Sequence, residues 1–259
     1  MDLGLASRSA ILMASSRGLG RACAHSVARE GVNVVINGRT AADVERTAGE
    51  IAAAYGVNAL AVVGDATEPD THDRLLEACG EPDIVLLNGG GPPVTALADI
   101  EPEQWQDAAQ RLMISPLTFV QRVVPGMRER RFGRIVAITS AMVKAPNPAL
   151  GLSAGPRLGM TAVLKALSTE IVMDNVTINQ LLPERIDTER QQYMARLIME
   201  QRGVTWDEAR AAQAAMIKAQ RLGRPEEFGD AFAFLCSAQA GYISGQNLQL
   251  DGGSYAGVF

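Results

Sequence analysis

The chain has 259 residues, 47% of them apolar and 20% charged, with a formal net charge of −5 at neutral pH. That length suits one doubly wound α/β domain spanning 1–259, and the apolar share suits a packed globule. An acidic balance argues against the basic patch that nucleic acid or an anionic membrane surface requires. Cys23, Cys79 and Cys236 are scattered and lack CxxC spacing, and His25 and His72 sit in no ligand spacing, so neither a disulfide framework nor a metal site is expected. With no basic-then-apolar leader and no bilayer-length apolar run in view, a reduced, cytoplasmic protein is expected.

Apolar runs alternate with helical patterns from end to end, which predicts a Rossmann-type parallel sheet of about seven strands with helices on both faces. The first run, 10–14, ends in Ala14-Ser15-Ser16-Arg17-Gly18-Leu19-Gly20 and opens a helix over 18–30. Glycines here let backbone amides approach a diphosphate at the positive end of a helix, although a plain strand–helix turn has similar composition. Ser15, Ser16, Arg17, Gly18, Leu19 and Gly20 are therefore candidate cofactor residues.

The run at 32–36 leads into Asn37-Gly38-Arg39, where the carboxylate that would hold ribose hydroxyls is absent. Arg39 and Arg17 supply guanidinium forks that suit a 2′-phosphate; the bland alternative is two solvated surface arginines. A helix over 41–55 and a strand over 59–63 follow, then Asp65 and Ala66, where a carboxylate can accept from an adenine amino group. A helix over 70–79 precedes the strand at 84–87, which runs into Asn88-Gly89-Gly90-Gly91.

A long helical pattern covers 102–129 and contains Pro116, four residues after Leu112. Proline has no N–H for the carbonyl at i−4 and its ring pushes that carbonyl aside, so a kink is predicted, either with a water or the Arg157 guanidinium on the Leu112 oxygen or as a bend that merely fits helix packing. The strand at 135–139 delivers Ser140. Helical pattern resumes over 157–173, and Gly155-Pro156 just before it predicts a helix that starts near Ser153, with the serine hydroxyl as N-cap. The strand at 177–182 ends at Pro183, with Ile186-Asp187-Thr188 behind it.

Residues 188–220 break the rhythm: a long helical stretch carries Met194, Leu197, Ile198, Met199, Trp206, Met216 and Ile217. It reads as a helical lid over an apolar substrate pocket, or as an excursion packed on its own core. A helix over 226–236 and a short strand over 248–250 complete the pattern.

In this order the motifs resemble the short-chain dehydrogenase/reductases, especially the 3-oxoacyl-carrier-protein reductase type, over essentially the whole chain. The family motif TGxxxGxG maps to Met13-Ala14-Ser15-Ser16-Arg17-Gly18-Leu19-Gly20, with Ala14 at the first glycine. The family motif NNAG is matched by Asn88-Gly89-Gly90, and Gly91-Pro92-Pro93 after it is similar to a divergent NTGGPP-like branch; the PG pair is Pro183-Glu184. The resemblance implies NADP(H), held additionally by Arg157, Pro183, Ile186 and Thr188, and a small carbonyl or alcohol substrate, or one with a C=N or C=C bond. It also implies a homotetramer that pairs two long helices and the last strand across two-fold axes.

The family's chemistry uses a Ser, a Tyr-x-x-x-Lys pair and an upstream Asn. Ser140 matches the Ser, while Ser153 stands at the Tyr position, Arg157 at the Lys position and Leu112 at the Asn position. Ser140, Ser153 and Arg157 are thus the catalytic candidates, and proton delivery is expected to be atypical. A serine hydroxyl ionises far above the ~10 of tyrosine, and an arginine stays protonated. Lys144 and Tyr193 are further donors by position, each more commonly an ordinary surface residue. Two rivals remain open: a catalytically weak cofactor-binding sensor or partner subunit, and a non-redox lyase of the halohydrin-dehalogenase type. The latter enzymes share Arg at the Lys position but keep the Tyr and lose the glycine loop.

Overall fold

A computed structural model of the chain describes residues 2–258. Its centre is a seven-stranded sheet in the order β3-β2-β1-β4-β5-β6-β7. The strands are β1 (Ser9–Leu12), β2 (Asn33–Gly38), β3 (Ala59–Val63), β4 (Ile84–Leu87), β5 (Gly133–Ile138), β6 (Val176–Pro183) and β7 (Asn247–Leu250), and every pairing is parallel. Leu12, Ile36 and Leu86 point to one face, where they meet Val27 of α1 (Gly18–Arg29), Ile51 of α2 (Ala41–Tyr55) and Phe232 of α9 (Pro225–Cys236). Their neighbours Ile11, Val35 and Val85 point to the other, against Leu75 of α3 (Pro69–Cys79), Phe119 of α5 (Ser115–Glu129) and Leu164 of α6 (Gly151–Ile171). The period-2 alternation of a strand thus buries both faces, which is why the runs are apolar throughout. No helix among the described residues is long and apolar enough to cross a membrane.

Two helices differ from expectation. The pattern at 102–129 is interrupted: α4 (Pro102–Ala109) passes through a π-helical turn, Gln110–Ile114, into α5. The Ser115 N–H reaches back to the Gln110 carbonyl, and the next residue, Pro116, has no N–H to donate. The widened turn is how the chain accommodates a proline ring inside an otherwise continuous helix.

α6 starts at Gly151 with Leu150 in the capping position, so Ser153 lies within its first turn and is not the N-cap. The helix nucleates early because a 3₁₀ turn, Pro148–Leu150, leads into it, with the Asn147 side chain accepting from the Ala149 N–H at 2.9 Å. Leu152 and Ala154 are then buried. Pro156 therefore lies inside the helix and deprives the Leu152 carbonyl of its i+4 donor, a cost that the packing of this early start outweighs.

The segment after β6 forms α7 (Glu189–Arg202) and α8 (Trp206–Ala215), joined through Gly203 at φ 65° and a capping box of Thr205 with Glu208. Ala195 and Ala209 are buried, and the Gln213 amide donates to the Gln191 carbonyl at 2.9 Å. Ile217 is buried, whereas Trp206 and Met216 remain exposed.

At the amino-terminal end of β5 Arg134 is only 2% exposed and has no acid partner among the described residues. It donates to the Gly133 and Asn175 carbonyls at 2.9 Å each, to Asn175 Oδ1 at 3.2 Å and to the Ser237 carbonyl at 3.4 Å. It also stacks on Phe132, 4.4 Å from the ring centroid. This one side chain satisfies acceptors from three segments, two of them, Gly133 and Ser237, buried. Arg134→Met should therefore lower stability by about 3 kcal/mol and the melting temperature by roughly 6–12 °C. A thermal melt within a degree or so of wild type would show that those carbonyls find other donors.

Candidate functional site

Strand order reverses between β1 and β4, and the crevice at their carboxyl ends is where open α/β sheets bind ligands. Ala14 occupies that turn at φ 46°, a left-handed conformation that an alanine adopts at a cost. Two asparagines hold its peptide groups. The Ala14 N–H donates to Asn37 Oδ1 at 3.1 Å, and Asn88 Nδ2 donates to the Ala14 carbonyl at 2.9 Å. Asn37 Nδ2 also donates to the Val62 and Gly64 carbonyls at 3.1 Å each, so the ends of β1, β2, β3 and β4 are tied into one unit. Ser15 is fully buried, its hydroxyl donating to the Leu12 carbonyl at 2.6 Å and accepting from the Asn37 N–H at 3.2 Å.

The turn has no room for a side chain at Gly20, which packs against the end of β1. A Cβ on Gly20 would sit 2.4 Å from the Ala14 carbonyl oxygen and 2.9 Å from Asn88 Nδ2. α1 begins at Arg17 with no side-chain cap and no acid in its first turn, so its leading amides are left for an anion. Beside this turn lies a cavity of about 530 Å³, bounded by Ser16, Arg17, Arg39, the Asp65–Thr67 loop and Asn88–Pro93. Asp107, Arg111, Leu112 and Pro116 close its far side.

Charges around the cavity divide clearly. Arg17 pairs with Asp43 at 3.2 Å, which also takes Arg46 at 2.7 Å. Arg39 is exposed and has neither an ion pair nor a side-chain hydrogen bond among the described residues. Burial alone would raise the Asp65 pKa, but the Thr67 N–H and hydroxyl and the Arg111 guanidinium outweigh it and hold the carboxyl below its ordinary range. His72 braces the same loop, its Nε2 2.8 Å from the Ala66 carbonyl, and burial lowers its pKa.

Arg157 is almost fully buried with no acid partner. Its Nη1 donates to the Ile138 carbonyl at 2.7 Å, Nη2 to the Gly89 carbonyl at 3.5 Å and Nε to Ser153 Oγ at 3.3 Å. Burial pushes its pKa down to about 10, which leaves it charged at neutral pH. Ser140 lies just beyond β5 and caps the turn that follows, its Oγ accepting from the Met142 N–H at 3.2 Å. Among the described residues no cluster of His, Cys, Asp and Glu could hold a metal ion.

The family model described as enoyl-(acyl carrier protein) reductase matches residues 13–255. The chain belongs to the short-chain dehydrogenase/reductase family. Among its relatives is the 3-oxoacyl-[acyl-carrier-protein] reductase FabG of Escherichia coli (strain K12), 30% identical over 250 residues, covering 95% of this chain and 96% of FabG. The NADPH-dependent reductase BacG of Bacillus subtilis (strain 168) is 26% identical over 261 residues, 98% of this chain and 100% of its own. Among solved structures, L-sorbose reductase from Gluconobacter frateurii, complexed with NADPH and L-sorbose, superposes with a TM-score of 0.95 at 27% identity over 100% of both chains.

In this short-chain dehydrogenase/reductase the cavity gathers Ser16, Arg17, Arg39, Asp65, Ala66, Asn88, Gly89 and Gly90 from the residues marked in the sequence. Thr188 comes over the turn as well, its Cβ 3.9 Å from where a Gly18 Cβ would stand. Ser15, Leu19 and Ile186 behave differently. The Ser15 hydroxyl is used internally, and the Leu19 and Ile186 side chains pack into the core, Ile186 also bridging Gly223. Pro183 ends β6, paired with Leu250. The Arg157 guanidinium does not take up the Leu112 carbonyl, because its N–H groups are directed to Ile138, Gly89 and Ser153. Lys144 Nζ sits 5.5 Å from the Tyr255 ring centroid, and Tyr193 is exposed on α7.

Asn37 as a brace, Thr67, Asp107 and Arg111 are contributors that sequence reasoning passed over. The i,i+4 spacing of Asp107 and Arg111 was a readable helical pair.

Ala14→Gly should relieve the left-handed strain and gain roughly 1 kcal/mol, visible as a melting temperature raised by about 2–4 °C. Gly20→Ala should instead displace the turn and abolish binding of a diphosphate ligand; unchanged affinity would contradict the geometry. The histidines set an acid limit. Burial holds both His25 and His72 below the ordinary 6.5, so the unfolded chain takes up these protons first as pH falls. Their contribution is complete above the unfolded value and is lost as pH drops through it, so urea midpoints should fall between about pH 7.5 and about pH 5.5. Equal midpoints would exclude this coupling.

Proposed function

We propose that the protein is an NADP(H)-dependent oxidoreductase that acts on a small carbonyl or alcohol, with proton delivery that differs from the usual Tyr and Lys arrangement. The observation that carries the cofactor reading is Arg39, a guanidinium without a partner among the described residues, beside a cavity whose glycine turn leaves helix amides open to a diphosphate. The residues present fit NADP(H). Gly18, Leu19 and Gly20 amides would hold the diphosphate, Arg39 the 2′-phosphate, and Asp65 with Ala66 the adenine. Arg17 assists by neutralising Asp43, which would otherwise repel the phosphate. The relatives support the same reading, BacG being an NADPH-dependent reductase and the sorbose reductase a complex with NADPH.

NADP(H), when bound, supplies or takes the hydride; the chain's own groups manage the oxygen. Ser140 and Ser153 each accept a hydrogen bond, from the Met142 N–H and from the Arg157 guanidinium, so each hydroxyl proton is left to donate to a substrate oxygen. Of the five N–H donors of a guanidinium, Arg157 spends three on Ser153, Ile138 and Gly89 and keeps two for ribose hydroxyls. Its positive charge in a dry setting stabilises oxyanion character, while the proton that completes the alcohol comes from water. α7 and α8 act as the lid in this reading, with Trp206 and Met216 available to an apolar substrate. The exposed Leu158 and Val163 of α6 and Leu248 of β7 support a homotetramer, to be checked by light scattering.

NADPH should bind more tightly than NADH, and Arg39→Ala should cost about 1.5–3 kcal/mol of NADPH affinity while leaving NADH unaffected. Fluorescence titrations of both forms decide this, and equal wild-type affinities would sink it. NADPH oxidation with L-sorbose and simple β-keto esters tests the activity; tight binding without turnover on a broad carbonyl panel would favour the sensor or partner-subunit reading. Because neither Ser153 nor Arg157 ionises near neutrality, kcat/KM should be flat from about pH 6 to about pH 9. An inflection inside that window would point to a donor that ionises there and would count against the flat profile.

A further inference from the structure

Arg111 belongs to the π-helical turn and lines the cavity, yet no function is attached to it by the family motifs above. Its Nη1 donates to Asp65 Oδ2 at 3.2 Å and its Nε to Asp107 Oδ1 at 2.9 Å. Asp65 comes from the loop after β3 and Asp107 from α4, so the guanidinium is fixed from two sides of the cavity, with Nη2 and its planar face unused. The accounting at Asp65 is informative. A carboxylate offers about four acceptor positions. Oδ1 takes the Thr67 N–H at 3.0 Å and the Thr67 hydroxyl at 2.9 Å, and Oδ2 takes Arg111. The position left is on Oδ2, directly beside the guanidinium.

We propose that Arg111 is a positioning residue of the adenine subsite: it keeps Asp65 Oδ2 turned to the cavity, where a purine 6-amino group can reach it. This rests on the NADP(H) reading above. A purine 6-amino group can donate to the remaining Oδ2 position, which the Arg111 guanidinium holds toward the cavity. Without Arg111, Oδ2 has no protein partner, and the carboxylate is free to rotate about its Thr67 contacts. A fixed carboxylate accepts a 6-amino group and repels a 6-oxo group, so base selectivity reports directly on the orientation that Arg111 imposes.

The test uses the full chain and measures dissociation constants by calorimetry for 2′-phospho-ADP-ribose and its hypoxanthine counterpart, with no turnover involved. Wild type should prefer adenine. Arg111→Leu should weaken the adenine ligand by about tenfold, leave the hypoxanthine ligand nearly unchanged, and so collapse the ratio. Arg111→Lys, which keeps the charge but not the fork, should fall between. In a cycle with Asp65→Asn, the double variant should bind no worse than Asp65→Asn alone, since Arg111 acts through Asp65. Thermal melts of all variants exclude a general loss of fold, which is unexpected for a side chain 43% exposed. An unchanged adenine-to-hypoxanthine ratio in Arg111→Leu, or additive losses in the cycle, would overturn the assignment. Failure of wild type to bind either ligand would overturn the NADP(H) reading itself, a result distinct from a binding site insensitive to Arg111.

Discussion

The peptide groups of Ala14 are the point on which the site depends. The residue sits in a left-handed conformation at the end of β1, and its N–H and carbonyl are both held by asparagine side chains, Asn37 from β2 and Asn88 from behind β4. Strain at a residue of this kind persists only where its surroundings over-determine it. Here the same two asparagines also lock neighbouring strand ends, so the turn cannot relax without loosening the crevice. The position of the first helix amides, the closeness of Gly20 to the Ala14 carbonyl and the mouth of the cavity all follow from that clamp.

In the proposed function Arg157 plays the corresponding part on the substrate side. A buried cation without an acid is costly, and three oxygen acceptors around it, two carbonyls and a serine hydroxyl, make it tolerable. The arrangement couples position to polarity. The interactions that hold the guanidinium also leave the Ser153 hydroxyl with a proton to donate and bind the loop after β4 to the end of β5. A tyrosine and lysine would instead have contributed ionisable groups; this pair contributes a fixed field.

The helix that carries Leu112 shows how a local rule and its tertiary outcome diverge. Pro116 was legible as a disturbance, because a missing N–H has a definite partner at i−4. Its form was not. A π-helical turn absorbs the disturbance and brings Arg111 to the cavity wall, because Asp65 and Asp107 are both there to receive it. Likewise Pro156 suggested a helix start near Ser153, but burial of Leu152 and Ala154 and the lead-in turn at Pro148–Leu150 moved the start to Gly151. Propensity at one residue was outweighed by packing over several.

By itself, the sequence determined the number and order of strands, their burial on both faces and the place of the glycine turn, since period-2 apolar runs and glycine spacing are local and carry their own physical meaning. It also determined which residue types stand at the positions that the resemblance assigns to catalysis. Only the tertiary structure decided what those residues touch: that Arg17 answers Asp43 while Arg39 stays free, that the Ser15 hydroxyl is consumed inside the turn, and that Arg157 turns to Ile138 and Gly89 rather than to Leu112. Hydrogen bonds and ion pairs between segments distant in the chain depend on distances and angles that no spacing along a single strand or helix encodes. The partner of a polar side chain is therefore settled only when the sheet has brought the strand ends together.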